Sequence, residues 1–199
     1  MHGLGADGED FVPIVKELRL PVAVRYIFPH APQRQVSING GMVMRAWFDI
    51  FRPDINAQPD IEGIRASQNA IEALIAQQAA LGIATENIFL AGFSQGGAIA
   101  LHTAMGQTAP LAGVLALSTY LPLASDAQPN ILPAATRTPI FMVHGRHDTV
   151  IPYSSGSASR DKLIQFCYSV EWHEYPMAHT VCEPELRDIE TWLSAQLLK

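Results

Sequence analysis

Apolar runs typical of strands alternate along this chain with amphipathic stretches typical of helices. Four short apolar runs bounded by turn residues predict strands, at residues 22–28, 88–91, 113–117 and 140–143. A run that alternates apolar with polar residues predicts a fifth strand at 170–175. Between them, apolar residues recur at helical spacing. Strands that alternate with helices predict an α/β fold, in which a mainly parallel sheet is covered by helices on both faces.

The predicted helices are marked by capping residues as well as by periodicity. The longest begins after Asp60, ends at Gly82, and has an apolar face formed by Ile61, Ile64, Ile71, Leu74, Ile75 and Leu81. Three further helices are predicted over residues 11–18, from a cap at Ser157 or Ser159 to Phe166, and from Pro184 onward. Residues 29–51 are rich in proline, glycine and large apolar side chains and predict a long loop.

The composition is that of one globular domain, and it excludes some classes of function. The chain has 199 residues, of which 48% are hydrophobic and 16% charged, so residues 1–199 are expected to form a single domain. The formal net charge of −6 argues against nucleic acid as a partner. Cys167 and Cys182 do not make a disulfide framework, and no signal peptide is visible, so we expect free thiols and a cytoplasmic protein.

One long segment contains no charged residue. It runs from Glu86 to Asp126, and Pro110 and several glycines and polar residues interrupt it. No unbroken apolar stretch in it reaches the roughly 20 residues that a membrane-spanning helix needs. A strand, a helix and a strand in the middle of a sheet explain the segment better, so stable membrane insertion is not expected.

A candidate nucleophile lies in this segment. Residues 92–96 read Gly-Phe-Ser-Gln-Gly, between the predicted strand 88–91 and an alanine-rich stretch typical of a helix. This context is the one in which G-x-S-x-G marks a serine nucleophile, here Ser94. Glycine is expected on either side because a side chain would collide with the neighbouring strand or helix. The helix directs its positive end towards Ser94. An ordinary glycine-rich turn is the alternative.

A nucleophilic serine needs a base, and the base needs an acid that orients it. Asp148 follows the predicted strand 140–143, and His179 follows the predicted strand 170–175. Both candidates therefore lie at carboxyl ends of strands, where parallel sheets place their chemistry. The order serine, acid, histidine is that of α/β-hydrolases. Asp126 is the alternative acid.

The other histidines are expected to be structural. His144 and His147 lie beside Asp148, but adjacent residues of one turn rarely converge on one ion, so no metal site is predicted. His30 and His102 are predicted to be core histidines rather than catalytic ones.

Four segments carry a family resemblance. They are His-Gly-Leu-Gly-Ala-Asp-Gly at 2–8, a stretch at 38–50 with Gly-Gly-Met and Trp-Phe-Asp-Ile, Gly-Phe-Ser-Gln-Gly-Gly at 92–97, and His-Gly-Arg-His-Asp at 144–148. In this order and spacing they resemble the phospholipase/carboxylesterase family, which includes acyl-protein thioesterases and small bacterial carboxylesterases. The resemblance runs through most of the chain and implies the α/β-hydrolase fold, a three-layer sandwich.

The resemblance also implies roles for the candidate site residues. Ser94 would be the nucleophile, His179 the general base and later acid, and Asp148 its partner. The backbone N–H groups of Leu4 and Gln95 would form the oxyanion hole, for which neither residue needs a particular side chain. No cofactor is implied.

A substrate-binding region is implied as well. The family suggests that Met42, Trp47 and Phe48 lie near the acyl-binding cleft. A connection as long and apolar as residues 29–51 favours some substrate contact. Core packing is the alternative for the two aromatic residues.

One departure from the family concerns the first strand of the sheet. In the family a buried strand precedes the His-Gly-Leu-Gly segment, whereas this sequence begins one residue before it. We therefore expect a sheet that lacks an N-terminal strand, between the strand at 22–28 and the nucleophile strand. The sequence leaves three outcomes open: a longer protein, direct closure of the two flanking strands, or cover by a second copy in a homodimer.

The leading prediction is a serine hydrolase that cleaves carboxylic esters of short to medium acyl chains through an acyl-enzyme. Thioesters and lysophospholipids are further candidate substrates. The alternative is a truncated, weakly active or inactive hydrolase scaffold that serves as a binding or assembly module. Cleavage of peptides or lactones by the same triad is a third reading. The predicted partner is a small-molecule substrate, and neither a metal ion nor a nucleic acid is expected to bind.

Overall fold

The centre of the molecule is a sheet of four parallel strands. A computed structural model describes residues 1–52, 58–124 and 131–199. The strands lie side by side in the order in which they occur in the chain, as β3 (Phe89–Phe93), β4 (Gly113–Leu117), β5 (Ile140–Gly145) and β6 (Val170–Tyr175). Four of the five predicted strands are therefore confirmed.

Five α-helices lie in the described residues. They are α1 (Val12–Glu17), α2 (Ile61–Ala80), α3 (Gln95–Met105), α4 (Tyr153–Gln165) and α5 (Glu183–Leu197). The predicted cap of α2 is confirmed, because the Asp60 carboxylate accepts the backbone N–H of Gly63 at 2.9 Å. Pro184 lies in the first turn of α5, where its missing N–H leaves no helical hydrogen bond unmade.

The predicted start of α4 was wrong. The helix begins at Tyr153, so Ser157 and Ser159 lie inside it rather than at its cap. The hydroxyl of Ser159 donates to the carbonyl of Ser155, one turn earlier, at 2.6 Å. A serine that bonds back to its own helix gives the same local sequence signal as one that caps it.

Alternate residues of the central strands face two different cores. On β4, Val114 and Ala116 pack in the cluster that includes α2 and α3, whereas Leu115 and Leu117 pack in the cluster that includes α5. β5 alternates in the same way. The contribution of α5 to its cluster is Ile189, Trp192 and Leu193. Helices thus cover both faces of the sheet, and the three-layer α/β-hydrolase architecture is confirmed.

Residues 22–28 do not form the predicted strand. None of their backbone N–H groups donates to another described residue, and three of their large side chains are exposed, Val22, Tyr26 and Ile27. The edge of β3 is met instead by Met1, whose amino group donates to the Ala91 carbonyl at 2.7 Å and whose carbonyl accepts the Phe93 N–H at 3.1 Å. An apolar run favours extended backbone, but a strand also needs a partner beside it. The two segments that flank the predicted gap therefore do not close up directly.

The predicted loop at 29–51 contains a small antiparallel ladder. Its strands are β1 (Gln33–Val36) and β2 (Met42–Arg45), paired from Gln33 opposite Arg45 to Val36 opposite Met42. Each strand has four residues, which is too short for an alternating pattern to stand out in the sequence. The ladder leads into residues 46–48, which are buried.

Candidate active site

Ser94 occupies the sharp turn between β3 and α3. Its backbone has φ 54° and ψ −122°, a conformation that a residue with a side chain rarely adopts. Neighbouring groups hold it there: its N–H donates to the Leu117 carbonyl at 2.9 Å, and its carbonyl accepts the Thr119 hydroxyl at 2.6 Å and the Ala98 N–H at 3.1 Å. A strained residue that is held by this many hydrogen bonds points to a functional role.

The two glycines of the motif make room for this turn. A Cβ on Gly92 would lie 2.2 Å from the carbonyl of Gly96, in the first turn of α3. A Cβ on Gly96 would lie 2.3 Å from the carbonyl oxygen of Met1 and 2.6 Å from that of His2. Collision with a helix is thus confirmed for Gly92, whereas Gly96 instead admits the backbone of the first two residues beside α3.

Asp148 and His179 are joined by a hydrogen bond. The Nδ1–H of His179 donates to Oδ2 of Asp148 at 2.7 Å, and Oδ1 of Asp148 accepts the backbone N–H groups of Val150 and Ile151, both at 2.9 Å. The Asp148 side chain is fully buried. Because an ionised carboxylate only accepts hydrogen bonds, the proton of a neutral His179 lies on Nδ1 and Nε2 is left as an acceptor.

The imidazole of His179 lies next to the turn that carries Ser94. Its ring centroid is 4.6 Å from that of Phe93. The loop that carries it is tied to the Asp148 turn by a hydrogen bond from the His147 N–H to the Met177 carbonyl at 3.0 Å. In the described part of the chain, no hydrogen bond joins the Ser94 hydroxyl to His179. The alternative acid, Asp126, lies outside the described residues.

His144 supports the turn that holds Asp148. Its Nε2–H donates to the Ile151 carbonyl at 2.9 Å and lies 3.6 Å from Oδ2 of Asp148. The ring is fully buried, and this burial lowers the pKa of His144, which favours the neutral form. Across the ranges 1–52, 58–124 and 131–199, no three His, Cys, Asp or Glu residues are grouped so as to hold a metal ion.

Two backbone N–H groups beside Ser94 are available to a ligand. Gln95 is the first residue of α3, so its N–H has no partner within the helix, and the N–H of Leu4 likewise bonds to no other described residue. The loop that carries Leu4 is close to Ser94, since a Cβ on Gly3 would lie 3.5 Å from the Ser94 Cβ. The structure therefore places the loop that carries Leu4 beside the turn that carries Ser94 and Gln95.

The side chain of Gln95 has a role that the sequence analysis missed. Its Oε1 accepts the Trp47 backbone N–H at 2.8 Å, and its Nε2 donates to the Phe48 carbonyl at 2.7 Å. The expectation that only its backbone matters was therefore too narrow. A glutamine at the start of an apolar helix was the available signal, because a buried amide needs partners for both of its ends.

The three predicted substrate-binding residues lie in different environments. Trp47 and Phe48 are each 2% exposed and belong to the main core cluster, so they present almost no surface to a substrate. Met42, on β2, is 63% exposed. Trp47 and Phe48 therefore pack in the core, which was the alternative for the two aromatic residues. Substrate contact stays a prediction for Met42.

Comparisons with known proteins agree on one family. Residues 1–197 match the sequence model of the phospholipase/carboxylesterase family. Acyl-protein thioesterase 1 of Gibberella zeae is 38% identical to this chain over 208 residues, which cover 99% of this chain and 88% of that protein.

Solved structures give the same result. SOBER1 of Arabidopsis thaliana superposes with a TM-score of 0.93 at 31% identity, over 98% of this chain and 96% of that one. Acyl-protein thioesterase 2 of Zea mays superposes with a TM-score of 0.86 at 30% identity, over 98% of this chain and 91% of that one. Of the helices in the described ranges, none combines the length and the apolar character needed to cross a membrane.

Proposed function

We propose that this chain works through a serine triad and an acyl-enzyme intermediate. The proposal proceeds from the chain's membership of the phospholipase/carboxylesterase family, which makes it a hydrolase of esters or thioesters. Ser94 is the nucleophile, His179 the general base and acid, and Asp148 the residue that orients His179. The observation that carries the proposal is the 2.7 Å hydrogen bond between Asp148 and His179, beside the strained turn of Ser94.

In the first half of the reaction, the Ser94 hydroxyl attacks the acyl carbonyl. As the Oγ–C bond forms, Nε2 of His179 takes the hydroxyl proton and the carbonyl π electrons move onto oxygen. The hydrogen bond between Ser94 and His179 that this step needs forms on substrate binding, as catalytic hydrogen bonds often do. Asp148 stabilises the imidazolium through Nδ1–H.

The oxyanion is stabilised by the N–H groups of Leu4 and Gln95. Both are backbone donors without another partner in the described residues, so no existing hydrogen bond has to break when the charge develops. Each such donor contributes about 3 kcal/mol to transition-state stabilisation in hydrolases of this type.

The second half of the reaction returns the enzyme to its starting state. The imidazolium of His179 gives its proton to the leaving alcohol or thiol as the bond to the acyl carbon breaks. Water then attacks the acyl-enzyme and loses a proton to His179. His179 returns that proton to Oγ of Ser94 as the Oγ–C bond breaks, which releases the carboxylic acid and restores the free hydroxyl.

The proposed substrates are acyl esters and acyl thioesters. Thioesters are supported by the relatives named acyl-protein thioesterases. The exposed Met42 offers an apolar contact to an acyl chain, and lysophospholipids are included among the candidates because they combine such a chain with an ester. A series of p-nitrophenyl esters and matching thioesters of rising chain length distinguishes these substrate classes.

A fluorophosphonate probe tests the nucleophile directly, because it reacts with an activated serine and stays attached. We expect labelling of the unaltered chain at Ser94 and none in Ser94→Ala, which is also expected to lose at least 1,000-fold in kcat. Ser118→Ala is the matched control, since Ser118 is also a buried serine with positive φ (45°) at the end of a strand. This control is expected to label normally.

Two results would overturn the proposal. A Ser94→Ala variant that still labels or hydrolyses esters would assign the nucleophile elsewhere. An unaltered chain that folds, shows a cooperative thermal transition and yet neither labels nor hydrolyses any ester or thioester in the series would favour the inactive binding scaffold.

A further inference from the structure

Trp47 contacts both of the segments that carry the proposed oxyanion donors. Its indole Nε1–H donates to the His2 carbonyl at 2.9 Å, in the segment that leads to Leu4. Its backbone N–H donates to Oε1 of Gln95 at 2.8 Å. Trp47 thus hydrogen-bonds to both segments, which are 91 positions apart in the chain at Leu4 and Gln95. These bonds add to the direct ones between Met1 and residues 91 and 93 of β3.

The Gln95 side chain fixes the start of α3 relative to Trp47. Because a backbone N–H can only donate, the atom of the Gln95 amide that faces Trp47 is the oxygen, and the nitrogen then faces the Phe48 carbonyl at 2.7 Å. Gln95 is buried, so water cannot substitute for either partner. Two hydrogen bonds of its side chain therefore hold Gln95, the residue whose backbone N–H is proposed to bind the oxyanion.

The His2 ring fixes the direction of the other donor. Its Nε2 accepts the Ala31 N–H at 3.0 Å, so its proton lies on Nδ1 and is donated to the Gly3 carbonyl at 2.7 Å. That carbonyl belongs to the same planar peptide unit as the N–H of Leu4, and in a trans peptide the two point in opposite directions. Holding the Gly3 carbonyl therefore sets the direction of the Leu4 N–H.

We propose that Trp47 is a positioning residue that holds the two halves of the oxyanion hole at a fixed separation. Its indole N–H holds the His2 carbonyl, and its backbone N–H holds Gln95. This inference rests on the proposed function, because it assumes that Leu4 and Gln95 receive the oxyanion. It replaces substrate contact as the role of Trp47.

Three further contacts keep Trp47 itself in place. Its carbonyl accepts the hydroxyl of Ser67 on α2, its ring packs against that of His2 with centroids 5.4 Å apart, and its side chain lies in the main core cluster. Donors act on an oxyanion only within about 2.7–3.1 Å of it, and a shift of about 1 Å near the chemistry lowers rates by about 100-fold. Loss of one link in this frame should therefore lower the rate of the chemical step.

The test is Trp47→Phe, which removes the indole N–H and keeps an aromatic ring. With a p-nitrophenyl ester, we expect kcat to fall by 10- to 100-fold while KM changes by less than about threefold, because ground-state binding does not use the oxyanion hole. Trp192→Phe is the matched control. Trp192 is also buried, but it packs against Phe89 and Phe141 in the other core cluster. This control should keep kcat within twofold even where its thermal stability falls.

A trifluoromethyl ketone inhibitor supplies a readout that a purely structural role would not change. Ser94 adds to its carbonyl, the Oγ–C bond forms, the hydroxyl proton passes to His179, and the carbonyl oxygen becomes an oxyanion. In Trp47→Phe, its inhibition constant should rise by the same factor as kcat/KM falls. The corresponding secondary alcohol, which cannot form the adduct, should bind equally to both proteins.

Any one of three results would overturn the inference that Trp47 positions the oxyanion donors. They are an unchanged kcat in Trp47→Phe, a loss of kcat equal to that of Trp192→Phe, or an unchanged ketone inhibition constant. If Trp47→Phe does not fold, Gln95→Met is the substitute, because it removes the hydrogen bond between Trp47 and the Gln95 side chain and keeps the backbone N–H of residue 95. The ketone inhibition constant of this variant must then rise by the factor by which its kcat/KM falls. A Ser94→Ala variant that remains active defeats the proposed function, whereas an inactive Ser94→Ala with a fully active Trp47→Phe defeats only this inference.

Discussion

The two oxygens of the Asp148 carboxylate contact different parts of the molecule. Oδ1 accepts the N–H groups of Val150 and Ile151 and so holds its own turn, whereas Oδ2 accepts Nδ1–H of His179. A single substitution can therefore separate the structural contribution of this side chain from the catalytic contribution that we propose for it.

Asp148→Asn makes that separation. The asparagine oxygen can still accept from Val150 and Ile151, so we expect the melting temperature to stay within a few degrees. Its NH2 group faces His179 and donates to Nδ1, which moves the imidazole proton to Nε2 and removes the acceptor that Ser94 needs. We expect kcat to fall by about 1,000- to 10,000-fold, measured alongside the thermal transition.

Two outcomes of this substitution would contradict the assignment of Asp148. Activity within tenfold of the unaltered chain would mean that another acid orients His179, and Asp126 would then be the next residue to substitute. A large loss of stability with proportionate loss of activity would mean that the carboxylate acts chiefly on the turn.

Among the elements, α5 begins with a buried acid. Glu185 is fully buried; its Oε2 accepts the Cys182 N–H at 3.3 Å, and its Oε1 has no partner among the described residues. Burial raises the pKa of Glu185 from 4.5 to about 7. The hydrogen bond from Cys182 opposes this shift but does not cancel it. The helix therefore carries a carboxyl group that stays protonated in mildly acidic solution.

This raised pKa makes stability depend on pH in a defined direction. Between pH 4.5 and about 7, the unfolded chain has released the Glu185 proton and the folded chain has kept it, so the free energy of unfolding falls as pH rises and levels off above pH 7. The fall is about 3 kcal/mol. Glu185→Gln cannot titrate, so the difference in unfolding free energy between this variant and the unaltered chain should shift by that amount across the window.

Chemical denaturation at pH 5, 6, 7 and 8 measures that difference. Taking the difference between the two proteins removes the contribution of the other titrating groups, which both contain. A difference that stays constant over the four pH values would contradict a raised pKa for Glu185 in the folded chain.

The sequence predicted those elements whose signal is local. The strands from β3 to β5 are apolar runs between turn residues, and β6 alternates apolar with polar residues. Asp60 and Pro184 each precede or open a stretch with helical periodicity, which marks the start of a helix. Residues 22–28 have the same apolar signal but no partner strand, and pairing depends on distant parts of the chain. The α4 boundary was missed because a serine inside a helix and a serine at its cap look alike in sequence.

The residues of the candidate site likewise fall into those with a local sequence signal and those without one. Ser94, Asp148 and His179 each stand in a short pattern at the end of a predicted strand, so they could be singled out without coordinates. The partners of Trp47 come from His2, Ser67 and Gln95, spread over nearly half of the chain. No local pattern records such contacts, and a pair of aromatic residues before an aspartate is equally consistent with the core and with a cleft.

For the whole molecule, the position of each strand in the sheet determines how its hydrogen bonds are protected. β4 lies between β3 and β5, and β5 lies between β4 and β6. Every residue of these two inner strands is buried, and both faces are covered by core clusters. Residues 22–28, in contrast, donate no backbone hydrogen bond to another described residue.

Amide hydrogen exchange should follow this division. The amides of β4 and β5 can open only when the sheet unfolds, so we expect them to exchange slowest, at the rate set by global unfolding. Residues 22–28 should exchange nearly as fast as an unfolded peptide. Mass spectrometry of peptic fragments measures both, with α3 as an internal reference for a buried helix. Protection of residues 22–28 equal to that of β5 would mean that this segment pairs with a strand in solution, and it would restore the role that its apolar pattern first predicted.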